Sequence, residues 1–191
     1  LLGEKILSTE VLPETAVPAE IRHAPARRNE AVFPDQRRFP LSDEDVRENR
    51  VSALLPDGWI EIGLPTPTLE KRQLLVLTDL PGWNSGVAAH ERVIDAYASR
   101  SLAYGVVVSA EEGTLRDTLR RVLLELAVEG MPIVLIVSKA DKRPAEDVDA
   151  VARRLKADVT ALMGSEPLAL AITSARRRDI AQLEAALDTL Q

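Results

Sequence analysis

Runs of apolar residues that end abruptly in polar or small residues divide this chain. The runs are 74–77, 132–137 and 168–172, and each is followed by a short polar segment. Continuous apolar runs of this length are typical of strands that are covered on both faces of a parallel sheet. Because ligands of parallel sheets bind beyond the carboxyl ends of the strands, the residues after each run are candidates for function.

Helices alternate with strands in the second half of the chain. The patterns predict a strand at 104–108 and helices at 87–102, 115–130, 144–164 and 178–190. Thr114 is expected to cap the second helix, and Gly130 and Gly164 are expected to end the second and the third. Strands that alternate with amphipathic helices predict an α/β fold, a three-layer domain with a mostly parallel sheet.

The first half of the chain carries shorter patterns. Strands are predicted at 19–23 and 30–33, at the edge of the sheet, and Ser42 ahead of Asp45 predicts a capping box that opens a helix. The alternation of apolar and other residues at 59–64 predicts a half-exposed strand. We expect it to be the antiparallel hairpin partner of the strand before Asp79, which gives the sheet an antiparallel edge.

The composition argues against several classes of partner and metal site. The 191 residues are 46% hydrophobic and 28% charged, as in a soluble globular domain, and the net charge of −6 argues against a nucleic-acid binder. We interpret arginine clusters such as 176–178 as solvated loops. The absence of Cys excludes zinc-thiolate sites and fits a reducing compartment, and two His are too few for a histidine metal cluster. No apolar run approaches the ~20 residues of a membrane span, and we expect no signal peptide, because no segment of the given sequence has that pattern.

The polar segments that follow the apolar runs carry the candidate chemistry. They are Asp79-Leu80-Pro81-Gly82, Ser138-Lys139-Ala140-Asp141 and Ser174-Ala175. A carboxylate after a strand can hold magnesium, usually through water, and Gly82 lets a backbone N–H approach a phosphate. Taken alone, residues 79–82 are better explained as a strand that ends in a turn around Pro81.

In order and spacing, these motifs resemble the guanine-nucleotide-binding domain of the GTPase superfamily. Residues 79–82 resemble its Asp-x-x-Gly box, 138–141 its Asn/Thr-Lys-x-Asp box, and 174–175 its base-contacting Ser-Ala box. Residues 1–18, with the Leu12-Pro13 turn ahead of Thr15, resemble the segment after the phosphate loop of bacterial dynamin-like GTPases. Leu64-Pro65-Thr66-Pro67-Thr68-Leu69 resembles their lead-in to the Asp-x-x-Gly box. The resemblance covers nearly the whole chain.

The resemblance implies how the guanine base is bound. Asp141 would accept two parallel hydrogen bonds from the ring and exocyclic N–H groups of guanine, a contact that discriminates bases by about 1–3 kcal/mol. Lys139 would lay its methylene stem over the base. Ser138 departs from the usual Asn or Thr, because its hydroxyl keeps one hydrogen bond but lacks the reach of an amide. Ala175 would offer its backbone N–H to the guanine carbonyl.

For catalysis, the resemblance implies Thr15, Asp79 and Gly82, with GTP or GDP and Mg²⁺ as ligands. Thr15 would bind the metal and the γ-phosphate when its loop closes, and Asp79 would support the same metal ion. Trp83 stands where signalling GTPases carry a water-orienting glutamine, which dynamin-like proteins also lack. The full nucleotide-binding set is Asp79, Leu80, Pro81, Gly82, Ser138, Lys139, Asp141, Ser174 and Ala175.

The phosphate loop, Gly-x-x-x-x-Gly-Lys-Ser/Thr, does not occur in this sequence. Because the chain begins at Leu1 and not at Met, we interpret it as a processed or excised piece. The resemblance implies that the loop and the first central strand, between the Asp79 strand and the 104–108 strand, precede Leu1 and that a helical stalk is also missing. We therefore expect 1–191 to be one incomplete dynamin-like GTPase domain that is inactive by itself.

For the parent protein, the resemblance implies GTP hydrolysis coupled to self-association through the GTPase domain and to membrane remodelling. It implies a cytoplasmic location, at times peripheral at the inner face of the membrane, with the membrane contacts outside this chain. Two alternatives stay open. The first is a pseudo-GTPase interaction module, favoured by Ser138 and the absent loop. The second is a ribosome- or assembly-associated GTPase, against which the long insert between Thr15 and Asp79 argues.

Overall fold

The structure is a computed structural model that describes residues 2, 6–7, 17–48, 55, 58–80 and 100–190. The chain forms two compact units, Leu2–Arg100 and Ser101–Gln191, which we call the N-terminal unit and the C-terminal unit. Each unit has a β-sheet of its own.

The N-terminal unit contains a five-stranded mixed sheet. Its elements are β1 Ala19–His23, β2 Arg28–Val32, β3 Arg38–Pro40, α1 Asp43–Arg47, β4 Trp59–Leu64, α2 Pro67–Glu70 and β5 Leu77–Asp79. The strand order is β3-β2-β4-β1-β5, in which β1 and β4 are parallel and all other neighbours are antiparallel. α1 begins at the predicted capping box, in which Ser42 Oγ accepts from the Asp45 N–H while Asp45 accepts from the Ser42 N–H.

One face of this mixed sheet is apolar and the other is charged. Ile60 and Ile62 of β4 lie opposite Ala19 and Ile21 of β1 on the apolar face. The buried residues of this core are Ile6, Ala19, Ile21, Ala31, Val46, Leu55, Ile60, Ile62, Leu64 and Leu69. Successive side chains of a strand point to opposite faces, so Glu61 points away from this core.

The charged face is covered by arginine side chains that reach across from neighbouring strands. The Glu61 side chain is only 4% exposed and lies 3.2 Å from Arg28, 3.3 Å from Arg38 and 3.6 Å from Arg22. The Glu61 and Glu30 carboxylates raise the pKa of Arg38, with Glu61 as the larger cause. Gly63 leaves the space through which the Arg28 stem passes, since a Cβ there would lie 2.8 Å from Arg28 Cγ.

The C-terminal unit contains a three-stranded parallel sheet of order β6-β7-β8. These strands are β6 Tyr104–Ser109, β7 Ile133–Ser138 and β8 Ala169–Ile172. The helices are α3 Asp117–Val128, α4 Ala145–Met163 and α5 Ala181–Asp188, with a 3₁₀ helix at Ala140–Lys142. α4 ends at Gly164, whose φ of 72° is the left-handed conformation that glycine adopts without strain.

The central strand of this parallel sheet, β7, is covered on both faces. Val134 and Ala171 pack against Ala186 of α5. Leu135 and Val137 point to the opposite face and are fully buried, and α3 and α4 pack against each other. All three strands run in the same direction, so the segments after Ser109, Ser138 and Ile172 emerge at one edge of the sheet.

Several local predictions are wrong. The predicted buried strand at 74–77 is a turn followed by a short strand: Leu74 is 96% exposed, and β5 begins only at Leu77. The reason is that α2 closes directly into successive turns, in which the Arg72 N–H donates to Leu69 O and the Leu75 N–H to Arg72 O. These turns use the residues that would otherwise extend the strand.

The predicted partners of the strands also differ. β4 pairs with β1 and β2, and β5 pairs with β1, so β4 is not the hairpin partner of the strand before Asp79. β1 and β2 are interior strands of the sheet, and its edges are β3 and β5. α3 begins at Asp117 after Arg116, without a side-chain cap from Thr114. The prediction of a single dynamin-like GTPase domain over 1–191 stays a prediction.

Candidate functional site

The segment after β7 places Asp141 at the carboxyl edge of the parallel sheet. Lys139 adopts the left-handed conformation, with φ 57° and ψ 37°, which turns the chain into the 3₁₀ helix. Left-handed backbone is uncommon for a residue with a side chain and is found preferentially at functional sites. The Ala140 N–H donates to Thr173 O at 3.0 Å, so this turn is attached to the end of β8.

The segment after β8 forms a closed turn around Ser174. The backbone groups of Ser174 and Asp179 exchange two hydrogen bonds of 2.9 Å each, and Arg178 inside the turn has a φ of 55°. Ser174 is 1% exposed. Its hydroxyl oxygen accepts a hydrogen bond of 3.1 Å from the Arg177 N–H. Hydrogen bonds within its own turn therefore hold the Ser174 side chain in place, independently of its contact with the neighbouring loop.

Asp141 and Ser174 are brought together by a hydrogen bond. Ser174 Oγ donates to Asp141 Oδ1 at 2.6 Å, across a separation of 33 residues in sequence. This hydrogen bond is the main reason why the pKa of Asp141 is lowered, and the charges of Lys142 and Arg176 lower it further against an opposing effect of burial. Asp141 is therefore an ionised, half-buried acceptor with a fixed orientation.

Lys139 and the segment after β6 form a second set of contacts. Lys139 Nζ lies 3.3 Å from Glu111 Oε2, and the Arg143 guanidinium donates to Glu111 O at 2.7 Å. Both side chains of the ion pair are exposed, so its contribution is roughly 0–1 kcal/mol. The Ser138 hydroxyl donates to Val108 O at 3.3 Å. Ala175 is exposed, and its carbonyl accepts from the Arg178 N–H at 3.2 Å.

Glu111 and Arg143 are contacts that the sequence analysis missed. The available signal was the polar segment Ser109-Ala110-Glu111-Glu112, which follows the 104–108 strand just as the candidate motifs follow the other parallel strands. A cavity of about 310 Å³ also lies beside β6. Its lining includes Val107, Ser109 and Leu119 but neither Asp141 nor Ser174, so it is separate from the candidate base site.

Asp79 ends β5 in the N-terminal unit. The residue is exposed, although enough protein surrounds the carboxyl for burial to raise its pKa. Water still reaches this carboxylate and opposes the effect of burial. Leu80 is half-buried. Thr15, Pro81, Gly82 and Trp83 lie outside the described residues.

The described residues contain neither a group of three or more His, Cys, Asp and Glu that could hold a metal ion nor a helix long and apolar enough to cross a membrane. Asp79 is compatible with the magnesium that the resemblance implies, because an accessible carboxylate oxygen is the kind of ligand that this cation prefers.

No family model matches the chain. The chain is 26% identical over 157 residues to an uncharacterized protein in the xynA 3′ region of Caldicellulosiruptor sp. strain Rt8B.4, which covers 79% of this chain and 38% of that protein. The chain therefore spans well under half the length of this curated relative.

Two solved structures resemble the fold of this chain. One is a chain of an oligomerised bacterial dynamin pair, described as a mechanism for the long-range sensing and tethering of membranes. It superposes with a TM-score of 0.73 at 16% identity, over 98% of this chain and 35% of its own. A second dynamin-pair chain of the same description gives a TM-score of 0.62 at 16% identity, over 93% of this chain and 29% of its own length. These likenesses confirm the predicted α/β fold of the GTPase type, and the chain shares the fold of these two dynamin-pair chains.

Proposed function

We propose that this chain binds a guanine nucleotide and that Asp141 reads the base. The observation that carries the proposal is the 2.6 Å hydrogen bond from Ser174 Oγ to Asp141 Oδ1 at the carboxyl edge of a parallel sheet. An ionised carboxylate only accepts hydrogen bonds, and guanine presents two adjacent N–H donors to it. Adenine presents an acceptor at the ring position and would leave one carboxylate oxygen unpaired.

The contacts of Asp141 support this role energetically. A side chain whose orientation is already fixed loses little conformational entropy when it binds. A site built to accept hydrogen bonds rejects a ligand that lacks the donors, because its polar groups are then left without partners. In this proposal Ser174 positions Asp141, Lys139 covers the base with its stem, and the Ala175 N–H donates to the guanine carbonyl.

For the whole protein, we extend the proposal to GTP hydrolysis. Thr15, Asp79 and Gly82 would form the catalytic segments, with Leu80 and Pro81 beside them. Magnesium bound at Thr15 and Asp79 would neutralise charge that develops on the phosphates. The contribution of the chain would be to place a hydroxyl, a carboxylate and a backbone N–H around the phosphates. The likeness to the dynamin pair supports self-association and a link to membranes for the whole protein.

A pseudo-GTPase interaction module is the second candidate. The observation in its favour is that two of the motif side chains already have partners within the chain: Ser138 donates to Val108 O, and Lys139 faces Glu111. Nucleotide binding measured in the whole protein separates the two candidates. Saturable binding of GDP or GTP favours the enzyme, and its absence favours the module.

The sharpest test of base recognition is Asp141→Asn in the whole protein. We expect the preference to move from guanine to xanthine nucleotides, because the amide offers a donor where xanthine has a 2-oxo acceptor. The loss of GDP affinity should correspond to about 1–3 kcal/mol, or roughly 5- to 150-fold. The measurement is the affinity for GDP and XDP by fluorescence or calorimetry. Asp149→Asn, on the exposed side of α4, is the matched control. Unchanged GDP affinity without a gain for XDP would contradict the proposal.

Hydrolysis has its own test in the whole protein. Thr15→Ala should spare GDP binding and abolish turnover, because an interaction made mainly in the transition state lowers kcat more than it weakens ground-state binding. Asp79→Ala should impair both GDP binding and GTP turnover, because it removes support for the metal ion in every state. Trp83→Ala should keep kcat within about tenfold, a change of about 1.4 kcal/mol. GTP turnover is measured against enzyme concentration. If Trp83→Ala alone abolished turnover while Thr15→Ala kept it, this placement of the catalytic residues would be wrong.

A further inference from the structure

The two loops of the candidate base site carry a concentration of positive charge. The segments 139–143 and 174–179 contain the cations Lys139, Lys142, Arg143, Arg176, Arg177 and Arg178 and the carboxylates Asp141 and Asp179. This excess occurs in a chain whose net charge is −6. Lys142 and Arg176–Arg178 are all exposed. We call these four residues the basic rim.

The four cations of the basic rim have little compensating charge beside them, apart from Asp141, whose pKa the charges of Lys142 and Arg176 lower. Among the described residues, none of its four side chains forms an ion pair. By contrast, Arg116, Arg154 and Lys156 face Glu112, Asp158 and Glu166 at 2.5, 3.9 and 2.8 Å. The excess of cations over carboxylates in these two segments produces a local positive potential that attracts an anionic partner.

The backbone under the basic rim is held in one conformation. The double hydrogen bond between Ser174 and Asp179 closes the turn that carries the three arginines, and Arg178 itself has positive φ. The bond from Ser174 to Asp141 attaches this turn to the loop of Lys142. The four cations therefore project from a common, ordered base, and little backbone order has to be gained on binding.

The chemistry of the rim favours a lipid surface over a nucleic acid. Segments 139–143 and 174–179 contain no aromatic residue on which a base could stack, and stacking is a major part of single-strand recognition. A duplex is an extended polyanion that would also meet the acidic remainder of the chain. Anionic lipid headgroups act mainly within a Debye length, about 8–10 Å, so they favour a local cluster of cations.

We propose that Lys142, Arg176, Arg177 and Arg178 dock this chain on an anionic lipid surface. Each cation near such a surface contributes about fivefold to partitioning, the equivalent of about 1 kcal/mol. The basic rim is then a contact surface within this chain, which revises both the interpretation of 176–178 as a solvated loop and the expectation that all membrane contacts lie elsewhere. The docking does not require nucleotide, so it stands apart from the proposed GTPase function.

The test is sedimentation of the nucleotide-free protein with vesicles of phosphatidylcholine, with or without phosphatidylserine. Wild type should partition to the anionic vesicles only, and less so as salt is raised. Arg177→Ser with Arg178→Ser should weaken partitioning roughly 30-fold, from two cations at about fivefold each. The matched control, Arg153→Ser with Arg154→Ser on α4, should partition like wild type. Arg177→Lys with Arg178→Lys, which keeps the charge, should retain binding.

Three results would overturn the proposal. The first is that the α4 control loses as much partitioning to anionic vesicles as the rim variant does. The second is undiminished binding to vesicles without phosphatidylserine. The third is tighter binding of single-stranded or duplex nucleic acid that the rim variant removes, which would assign the rim to nucleic acid. Lys142→Ser lies on the other loop and serves as an independent variant if the double substitution unfolds the protein. Loss of GDP binding with retained vesicle binding would refute the GTPase proposal and leave this one standing.

Discussion

Strands β4 and β7 are both buried, but the two units bury them by different means. β7 is apolar from Ile133 to Val137 and is covered by protein on both faces, as is usual for parallel strands. β4 alternates, and its Glu61 is buried under arginine side chains. The comparison teaches that an alternating strand need not have a solvated face, because the long stems of arginines from neighbouring strands can cover a carboxylate.

The two arrangements should respond differently to mutation. An apolar interior loses transfer free energy and gains a cavity when a side chain is shortened, and neither effect depends on salt. A buried carboxylate loses charge partners, and the arginines left behind can turn toward water where they are partly exposed. Three changes in β4 and β7 separate the two arrangements, and a fourth, Ser174→Ala, tests a polar contact in the loops of the C-terminal unit; the largest expected effect comes first.

Leu135→Ala should be the most destabilising change. Leu135 is fully buried in β7, and truncation of such a residue costs about 2–5 kcal/mol. The measurement is the free energy of unfolding in urea. Leu124→Ala on α3 is the matched control, because Leu124 is about half exposed and its truncation should cost much less. Equal losses for the two variants would mean that β7 is not at the centre of a packed core.

Glu61→Ala should cost less, about 1–3 kcal/mol. Removing one partner of a buried ion pair costs 3–5 kcal/mol when the other charge is trapped. Here the Arg28 and Arg38 side chains are about half exposed and can reach water, which reduces the loss. Unfolding in urea at low and high salt measures it. Glu30→Ala, whose carboxylate is more exposed, is the control. A Glu61→Ala variant as stable as wild type would show that the ion pairs only balance the cost of burial.

Gly63→Ala tests whether the Arg28 side chain that covers Glu61 needs the space left by the absent Cβ of Gly63. A Cβ at this position would lie 2.6 Å from Ala24 Cβ and 2.8 Å from Arg28 Cγ, so the stem of Arg28 has to shift. We expect a loss of about 1–2 kcal/mol from overpacking. The matched variant is Gly105→Ala in β6, where the nearest atom is Ile136 Cδ1 at an ordinary 3.6 Å. Thermal unfolding of both variants checks the difference, and a greater loss at Gly105 would contradict it.

Ser174→Ala should have the smallest effect on stability, and the effect should depend on pH. Ser174 lowers the pKa of Asp141 below its ordinary value of 3.8. A lowered folded-state pKa stabilises the protein above the unfolded pKa, and this contribution is lost as pH falls through the folded value. The difference in stability between wild type and Ser174→Ala should therefore be full at neutral pH and shrink below pH 3.8. Urea unfolding at several pH values measures it. A difference that grew on acidification would have the wrong sign.

Features that depend on a few neighbouring residues could be predicted from the sequence. The capping box at Ser42, the stop at Gly164 and the strand at 133–138 are such features, since local hydrogen bonds, backbone conformation and apolar periodicity determine them. The positions of Asp141 and Ser174 after strands could be read in the same way. Their direct hydrogen bond joins residues 33 positions apart, and it could not be predicted from the sequence.

Strand pairing and burial were decided by the tertiary structure. Most of the apolar run at 74–77 is not a strand, because the turns that follow α2 reach Leu75 and β5 begins only at Leu77. β4 pairs with β1 and β2 because its register places Ile60 and Ile62 in their shared core. The burial of Glu61 depends on arginines from three other strands. Hydrophobic periodicity specifies which face of a strand is apolar but not which strand lies beside it. That choice depends on contacts between residues far apart in sequence, which no local pattern contains.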